Sequence, residues 1–232
     1  RALQGENKVI PIFIFDSNIL DKLPKKDARV EFILSALCKI DIAMKSNQCS
    51  LGIYNGTPEV VFKKIFEKWP INKVVCNKDY EPYASKRDQE IQILLNKNGI
   101  VFERYKDQVI FEKNEVTKDD GNPYKVYTPY SRKWLSRLED HPIENFPSEN
   151  LLEKCYNLSI LPKCSLSDLG FSKSNLPHPE PVFNDRVIDD YEATRNFPSI
   201  GKTSRLGTSL RFGTLSIRRA VQKSVSRKNH TF

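Results

Sequence analysis

Between Ile200 and Arg218 the chain reads IGKTSRLGTSLRFGTLSIR, with four basic residues, six hydroxyl side chains, three glycines and no carboxylate. Hydroxyls, guanidinium groups and glycine-freed backbone amides are the donors that hold phosphate-like anions. Gly201-Lys202-Thr203 resembles the end of a nucleoside triphosphate-binding loop. That loop needs a further glycine five residues earlier, following a buried strand. Asn196 stands there and Pro198 follows, so the spacing excludes a P-loop enzyme.

The charge is concentrated in the same region. After Glu192 there is no acid, while Arg195, Lys202, Arg205, Arg211, Arg218, Arg219, Lys223, Arg227 and Lys228 supply nine positive charges. Subtracting these from the +8 of the whole chain leaves residues 1–192 at about −1. Such a basic end reads either as an anion-binding surface or as a solvated positive tail, and charge alone does not choose.

The 232 residues, 39% hydrophobic and 28% charged, fit one or two globular domains with a sizeable core. Five cysteines, Cys38, Cys49, Cys76, Cys155 and Cys164, show no C-x-x-C spacing and no nearby histidine. Reduced thiols, a cytoplasmic location and no metal centre are expected. No apolar run has membrane-spanning length and no signal peptide is visible, so no membrane association is expected.

Residues 8–105 alternate apolar runs with amphipathic stretches, the signature of parallel strands joined by crossover helices. The runs are KVIPIFIFD, CSLGIYNG, INKVVCN and GIVFERY. Val30, Ile33, Leu34, Leu37 and Met44 share one helical face, as do Ile91, Leu94 and Leu95. A helix is expected from Thr57, its cap, with Pro58 in the first turn. No G-x-G-x-x-G occurs, so a conventional dinucleotide fingerprint is absent. Lys106–Tyr130 reads as short β-like pieces and turns, followed by a helix from about Ser131 to Leu138. The Pro-, Ser- and Asn-rich stretch 141–181 reads as a long connection. Phe183, Val187 and Tyr191 then recur every four residues, as do Ile217, Val221 and Val225. The expected layout is an α/β domain over 1–140, a linker over 141–180 and a helical segment over 181–232.

Three blocks together resemble the DNA photolyase and cryptochrome family, most of all its microbial cyclobutane pyrimidine dimer photolyases. They are PIFIFDSNIL from Pro11, DYEPYASKRD from Asp79 with KDQVIFEKNEV from Lys106, and DDYEATRNFPSIGKTSRLGTSLRFGTLSIR from Asp189. The resemblance implies a Rossmann-like α/β antenna domain, a linker and the opening of an all-helical FAD domain. It implies that Tyr191, Thr203, Ser204, Arg205, Leu206 and Gly207 contact FAD and that Arg195 contacts DNA. Gly207 stands where many relatives carry serine. The implied activity is light-driven repair of pyrimidine dimers in DNA by a monomeric carbon–carbon lyase.

The resemblance also implies that the family's first strand, central in its sheet, precedes the matched region, and that the family's catalytic residues lie beyond Phe232. A chain of this extent is expected to be inactive alone. Trp69 and Trp134 are assigned to the α/β region. Folate-using members carry an Asn-Glu pair where Tyr83 and Ala84 stand here, which turns the antenna chromophore away from folate and leaves deazaflavin, a second flavin or none. Four of these residues have plainer competitors: Tyr191 as a packed core tyrosine, Thr203 and Ser204 as helix caps, Arg195 as a surface arginine. Competing functions are a cryptochrome photoreceptor and a non-photochemical nucleotide-binding module.

Overall fold

Residues 1–156, 161–178 and 180–227 are described by the computed structural model. They form two compact units, Arg1–Tyr105 with Phe146–His178, and Lys106–Asn145 with Pro179–Phe232.

All four strands of the first unit arise from the four apolar runs: β1 (Ile12–Phe15), β2 (Gly52–Asn55), β3 (Lys73–Asn77) and β4 (Val101–Tyr105). β1 pairs in parallel with β2, Ile12 opposite Gly52, and β3 pairs in parallel with β4, Lys73 opposite Val101. Parallel neighbours require crossovers, which the helices supply. A short α1 (Ser17–Leu20) is capped by Asp16, whose carboxylate accepts from the Asn18 amide. Asp27 caps α2 (Ala28–Lys45) in the same way through the Arg29 amide. α3 (Pro58–Lys68) has Thr57 at its N-cap and Pro58 in its first turn as expected, but the threonine side chain makes no capping bond. α4 (Pro82–Lys97) completes the set. The α/β class with parallel strands and flanking helices is therefore borne out.

The periodic residues do what their spacing requires. Val30, Leu37 and Met44 of α2 bury against Phe15, Leu51 and Ile53, while Ile91 and Leu95 of α4 bury with Ile100. The proline-rich stretch after residue 145 packs on this unit rather than running free. Val9 bridges Cys155, the Ile53 amide donates to the Pro162 carbonyl at 2.8 Å, and Leu169 and Phe171 join the core. Lys163 Nζ lies 2.6 Å from Asp41 Oδ1 and 3.1 Å from Ser50 Oγ. Little periodicity in the sequence here reflects irregular backbone that packs through isolated side chains.

Helices make up the second unit: α5 (Tyr127–Asp140), α6 (Asp185–Asp189), α7 (Tyr191–Thr194), α8 (Gly207–Arg211) and α9 (Ile217–Ser226). The β-like pieces expected over Lys106–Tyr130 are not strands. A turn closes there instead, the Lys118 amide donating to the Asn122 carbonyl and Gly121 adopting φ +79°. Val109, Ile110 and Phe111 have strand-forming side chains but no neighbouring ladder, and β propensity without a paired edge does not make a strand. Among the described residues, no helix is long and apolar enough to cross a membrane, and no group of three His, Cys, Asp or Glu side chains is placed to hold a metal ion.

Candidate functional site

The second unit holds a cavity of about 410 Å³. α5 contributes Trp134 and Leu135, α7 contributes Tyr191, and one side of α9 contributes Ile217, Val221 and Val225. The remaining wall is the hydroxyl-rich turn itself, through Ser204, Leu206 and Gly207, with Leu210 of α8. Its size lies within the range of small-molecule sites, and its make-up, mostly apolar with few polar groups, is that of such sites.

Local forces place each wall. The every-fourth row on α9 turns Ile217, Val221 and Val225 to the cavity, and the buried Ala220 and Ser224 line it with them. Trp134 is held edge-on against Phe111, ring centroids 5.5 Å apart, and Arg137 lies over the same Phe111 ring. The turn is anchored by its backbone, since the Val182 amide donates to the Ser204 carbonyl at 2.8 Å. Arg205 then adopts φ +52°, a left-handed conformation uncommon outside glycine, and Gly201 adopts φ +67°.

Tyr191, Ser204, Leu206 and Gly207 thus meet around one cavity although they span 17 positions of chain. Tyr191 is half-buried and faces this space, while Ile188 is fully buried; the every-fourth row of Phe183, Val187 and Tyr191 is interrupted at Asp190, which separates α6 from α7. Thr203 and Arg205 are exposed and do not line the cavity. Neither threonine nor serine caps α8: its N-cap is Leu206, with no side-chain capping bond. No hydrogen bond or ion pair among the described residues takes up the side chains of Thr203, Ser204 or Arg205, so their donors stand uncommitted. At Gly207 an added Cβ would meet nothing within 4 Å, so the missing serine hydroxyl reflects no lack of space.

Arg195 is exposed one turn beyond Tyr191, its amide donating to the Tyr191 carbonyl at 2.8 Å. Much of the surrounding positive charge is neutralised locally. Lys202 pairs with Asp190 at 3.3 Å, Arg218 with Asp107 at 2.8 Å, Lys223 with Asp185 at 3.0 Å, and Arg227 with Asp185 and Asp189. The hydrogen bond from Arg227 holds the Asp189 carboxyl below its ordinary value. Among the described residues, Arg195, Arg205 and Arg219 have unpaired side chains; Lys228 lies outside them. The positive end is therefore a few free guanidinium groups over a paired network rather than a uniform basic tail.

Trp134, Leu135, Leu210, Ile217, Ala220, Val221, Ser224 and Val225 line the cavity without belonging to the residues that the resemblance points to. Trp134, assigned to the α/β region, belongs to the second unit and lines its cavity. The only hint was the change in pattern after Tyr105. Tyr83 and Ala84 are committed to the first unit, the Tyr83 hydroxyl donating to the Asp16 carboxylate and Ala84 buried in α4.

Residues 1–148 match the family model described as DNA photolyase. The chain belongs to the DNA photolyase family. An uncharacterized 31.6 kDa protein of Synechococcus sp. (strain PCC 6716) is 28% identical to it over 99% of this chain and 84% of that protein. The deoxyribodipyrimidine photo-lyase of a second Synechococcus strain is also 28% identical, over 92% of this chain and 47% of the enzyme. Among solved structures, an archaeal photolyase from Sulfolobus tokodaii with two FAD molecules superposes with a TM-score of 0.64 at 21% identity, covering 99% of this chain and 52% of that one. This photolyase-family chain spans about half the length of the named photolyases it matches.

Proposed function

We propose that this chain contributes to a light-driven DNA photolyase and that the cavity walled by the hydroxyl-rich turn receives part of its FAD. The single observation carrying this reading is the convergence of Tyr191, Ser204, Leu206 and Gly207 around one cavity, with uncommitted donors at its edge. A planar aromatic ring system suits the apolar walls from Trp134, Ile217 and Val221, and a pyrophosphate suits Ser204, Thr203 and the free Arg205 guanidinium.

When bound, reduced FAD supplies the photoexcited electron that opens the cyclobutane ring of a pyrimidine dimer. The protein's part is placement. Ser204, which lines the cavity, would donate to the diphosphate, Thr203 and Arg205, exposed outside the lining, would meet the part of it that extends beyond the cavity, and Leu206 and Leu210 would keep water from the ring system. Arg195 and Arg219, free of acidic partners, hold DNA phosphates without reading sequence. Photolyases are standard examples of enzymes that take their target out of the base stack, so a phosphate grip beside the pocket is the expected contribution here.

By itself this chain holds FAD weakly and does not repair DNA, because it supplies only one wall of donors. Tyr83 and Ala84 turn the antenna position away from folate and leave a deazaflavin, a second flavin or no antenna, which mass spectrometry of chromophores released from the full-length protein distinguishes. The activity is tested by light-dependent repair of a dimer-containing oligonucleotide by the complete gene product. Repair with a stoichiometric flavin supports the reading. Flavin without repair favours a cryptochrome photoreceptor, and nucleotide binding without flavin overturns the reading in favour of a non-photochemical module.

A further inference from the structure

Two thiols meet in the core of the first unit. Cys49 and Cys155 are each 4% exposed, and both belong to the cluster that holds Phe15, Leu37, Leu51 and Ile53. A hydrogen bond joins their side chains. The Leu152 carbonyl ties them further. It accepts from the Cys155 amide at 2.9 Å and from Cys49 Sγ, 103 positions away in the chain, also at 2.9 Å.

Backbone on each side fixes that meeting. After α2 the chain turns tightly, Gln48 adopting φ +57° and the Cys49 amide donating to the Met44 carbonyl at 3.2 Å, which delivers the Cys49 side chain to the core. Cys155 follows a 3₁₀ helix, Ser148–Lys154. Both of its flanks are bonded to Val9, whose amide donates to the Lys154 carbonyl at 3.0 Å and whose carbonyl accepts from the Tyr156 amide at 2.8 Å.

The other thiols have different surroundings. Cys38 is exposed, Cys76 lies beside the Asp88 carboxylate, and Cys164 Sγ donates to the Ile53 carbonyl at 3.3 Å. Packing alone needs no contact between two sulfurs, since a cysteine fills core space as a small apolar side chain wherever it sits. In contact, two thiols are the reduced half of a disulfide, and only a short approach separates the two states. Burial, with Cys49 alongside, pushes the Cys155 thiol up to about 12, so exchange is slow rather than forbidden.

We propose that Cys49 and Cys155 form a reversible oxidative crosslink, a clasp that fastens the proline-rich segment after residue 145 to the turn after α2 when a small-molecule disulfide is present. The Cys49 sulfur, its proton lost to solvent, attacks one sulfur of the oxidant RSSR, forming a mixed disulfide and releasing RS⁻. The Cys155 sulfur, deprotonated likewise, attacks the Cys49 sulfur and expels the second RS⁻. Both leaving groups take up the two protons. The protein loses two electrons in all, and the oxidant becomes two RSH. Closing a loop of about a hundred residues restricts the unfolded chain, so the crosslinked form is the more stable one. The clasp does not depend on the flavin reading.

The test incubates the 232-residue chain, folded, with oxidised glutathione at mildly alkaline pH, blocks remaining thiols with N-ethylmaleimide and maps peptides without reduction. A linked peptide joining Cys49 to Cys155 is expected within hours, with about 2 Da lost from the reduced chain. The unfolding temperature should rise by at least about 5 °C, and dithiothreitol should reverse both changes. Cys49→Ala and Cys155→Ala should each abolish the link and the rise; if neither variant folds, the map and unfolding temperature of the unsubstituted chain decide. Pairing through Cys38, Cys76 or Cys164 overturns the proposal, as do glutathione held only as a mixed disulfide, unchanged thiols, and a link that forms only in denaturant. A Cys49–Cys155 link that leaves the unfolding temperature unchanged overturns it as well.

Discussion

Arg218 Nη1 lies 2.8 Å from Asp107 Oδ1, and its Nη2 donates to the Lys106 carbonyl at 2.7 Å, tying α9 to the first residues of the second unit. Among the described residues this arginine is the most buried cation of the basic end, with 16% of its side chain exposed. Its charge serves the fold. Arg218→Ala is expected to cost about 1 to 3 kcal/mol, because it leaves acceptors unpaired. Thermal unfolding should fall by several degrees, while the salt dependence of DNA binding by this chain stays unchanged.

Arg195 is expected to behave in the opposite way. Exposed and unpaired, it contributes little to stability. Arg195→Ala should leave the unfolding temperature within experimental error and reduce the slope of log affinity against log salt by about one on DNA. An unchanged slope would assign it to bulk surface.

Gly207→Ser tests the turn without removing anything. The position is at the start of α8, has no positive φ and has open space around a Cβ. Serine there should be tolerated and should tighten FAD binding by a few fold, as one further donor faces the cavity. Arg205→Ala should weaken it by roughly 10- to 100-fold, matching the 1.5 to 3 kcal/mol of a charge-assisted bond. Fluorescence titration with FAD reads both.

Acid sensitivity should come from Asp41. Burial raises its pKa, but bonds from Lys163, the Leu51 amide and Lys45 outweigh that and lower it to about 2. A depressed folded value means stability that is present above the unfolded pKa near 4 and lost as pH falls from there through about 2. The contribution is up to about 2 kcal/mol at neutral pH. Asp41→Asn should flatten the acid limb of a stability–pH curve.

Thiol chemistry separates the cysteines. Cys155 is buried and, with the Cys49 thiol beside it, is pushed up to about 12; burial and the Asp88 carboxylate push Cys76 to about 11. Cys38 is exposed. Iodoacetamide at pH 8 should label Cys38 first and Cys155 at least about 100-fold more slowly, since only thiolates react. Peptide mapping over time checks the order.

The α/β unit was legible because its signals are local. A continuous apolar run such as Ile12–Phe15 and a seven-residue spacing such as Val30–Leu37–Met44 fix element type and, for the helix, buried side without knowledge of neighbours. The site was half legible. Of the residues that the resemblance points to, Tyr191, Ser204, Leu206 and Gly207 meet at one cavity, but Thr203 and Arg205 lie outside its lining. What failed was non-local. Nothing near Trp134 announces that it turns toward α7 and α9, and Phe111 reads as a strand residue until its role against that tryptophan is seen. Arg218 looks like any other basic residue of the tail until Asp107, distant in sequence, is placed beside it.

The central claim, that the turn around Ser204 faces FAD, is met most directly by amide NMR of this chain titrated with millimolar FAD. The account predicts saturable shifts clustered at Tyr191, Ser204, Leu206 and Gly207 and at the Trp134 indole N–H. Shifts confined to other residues, or none at these five, would contradict it.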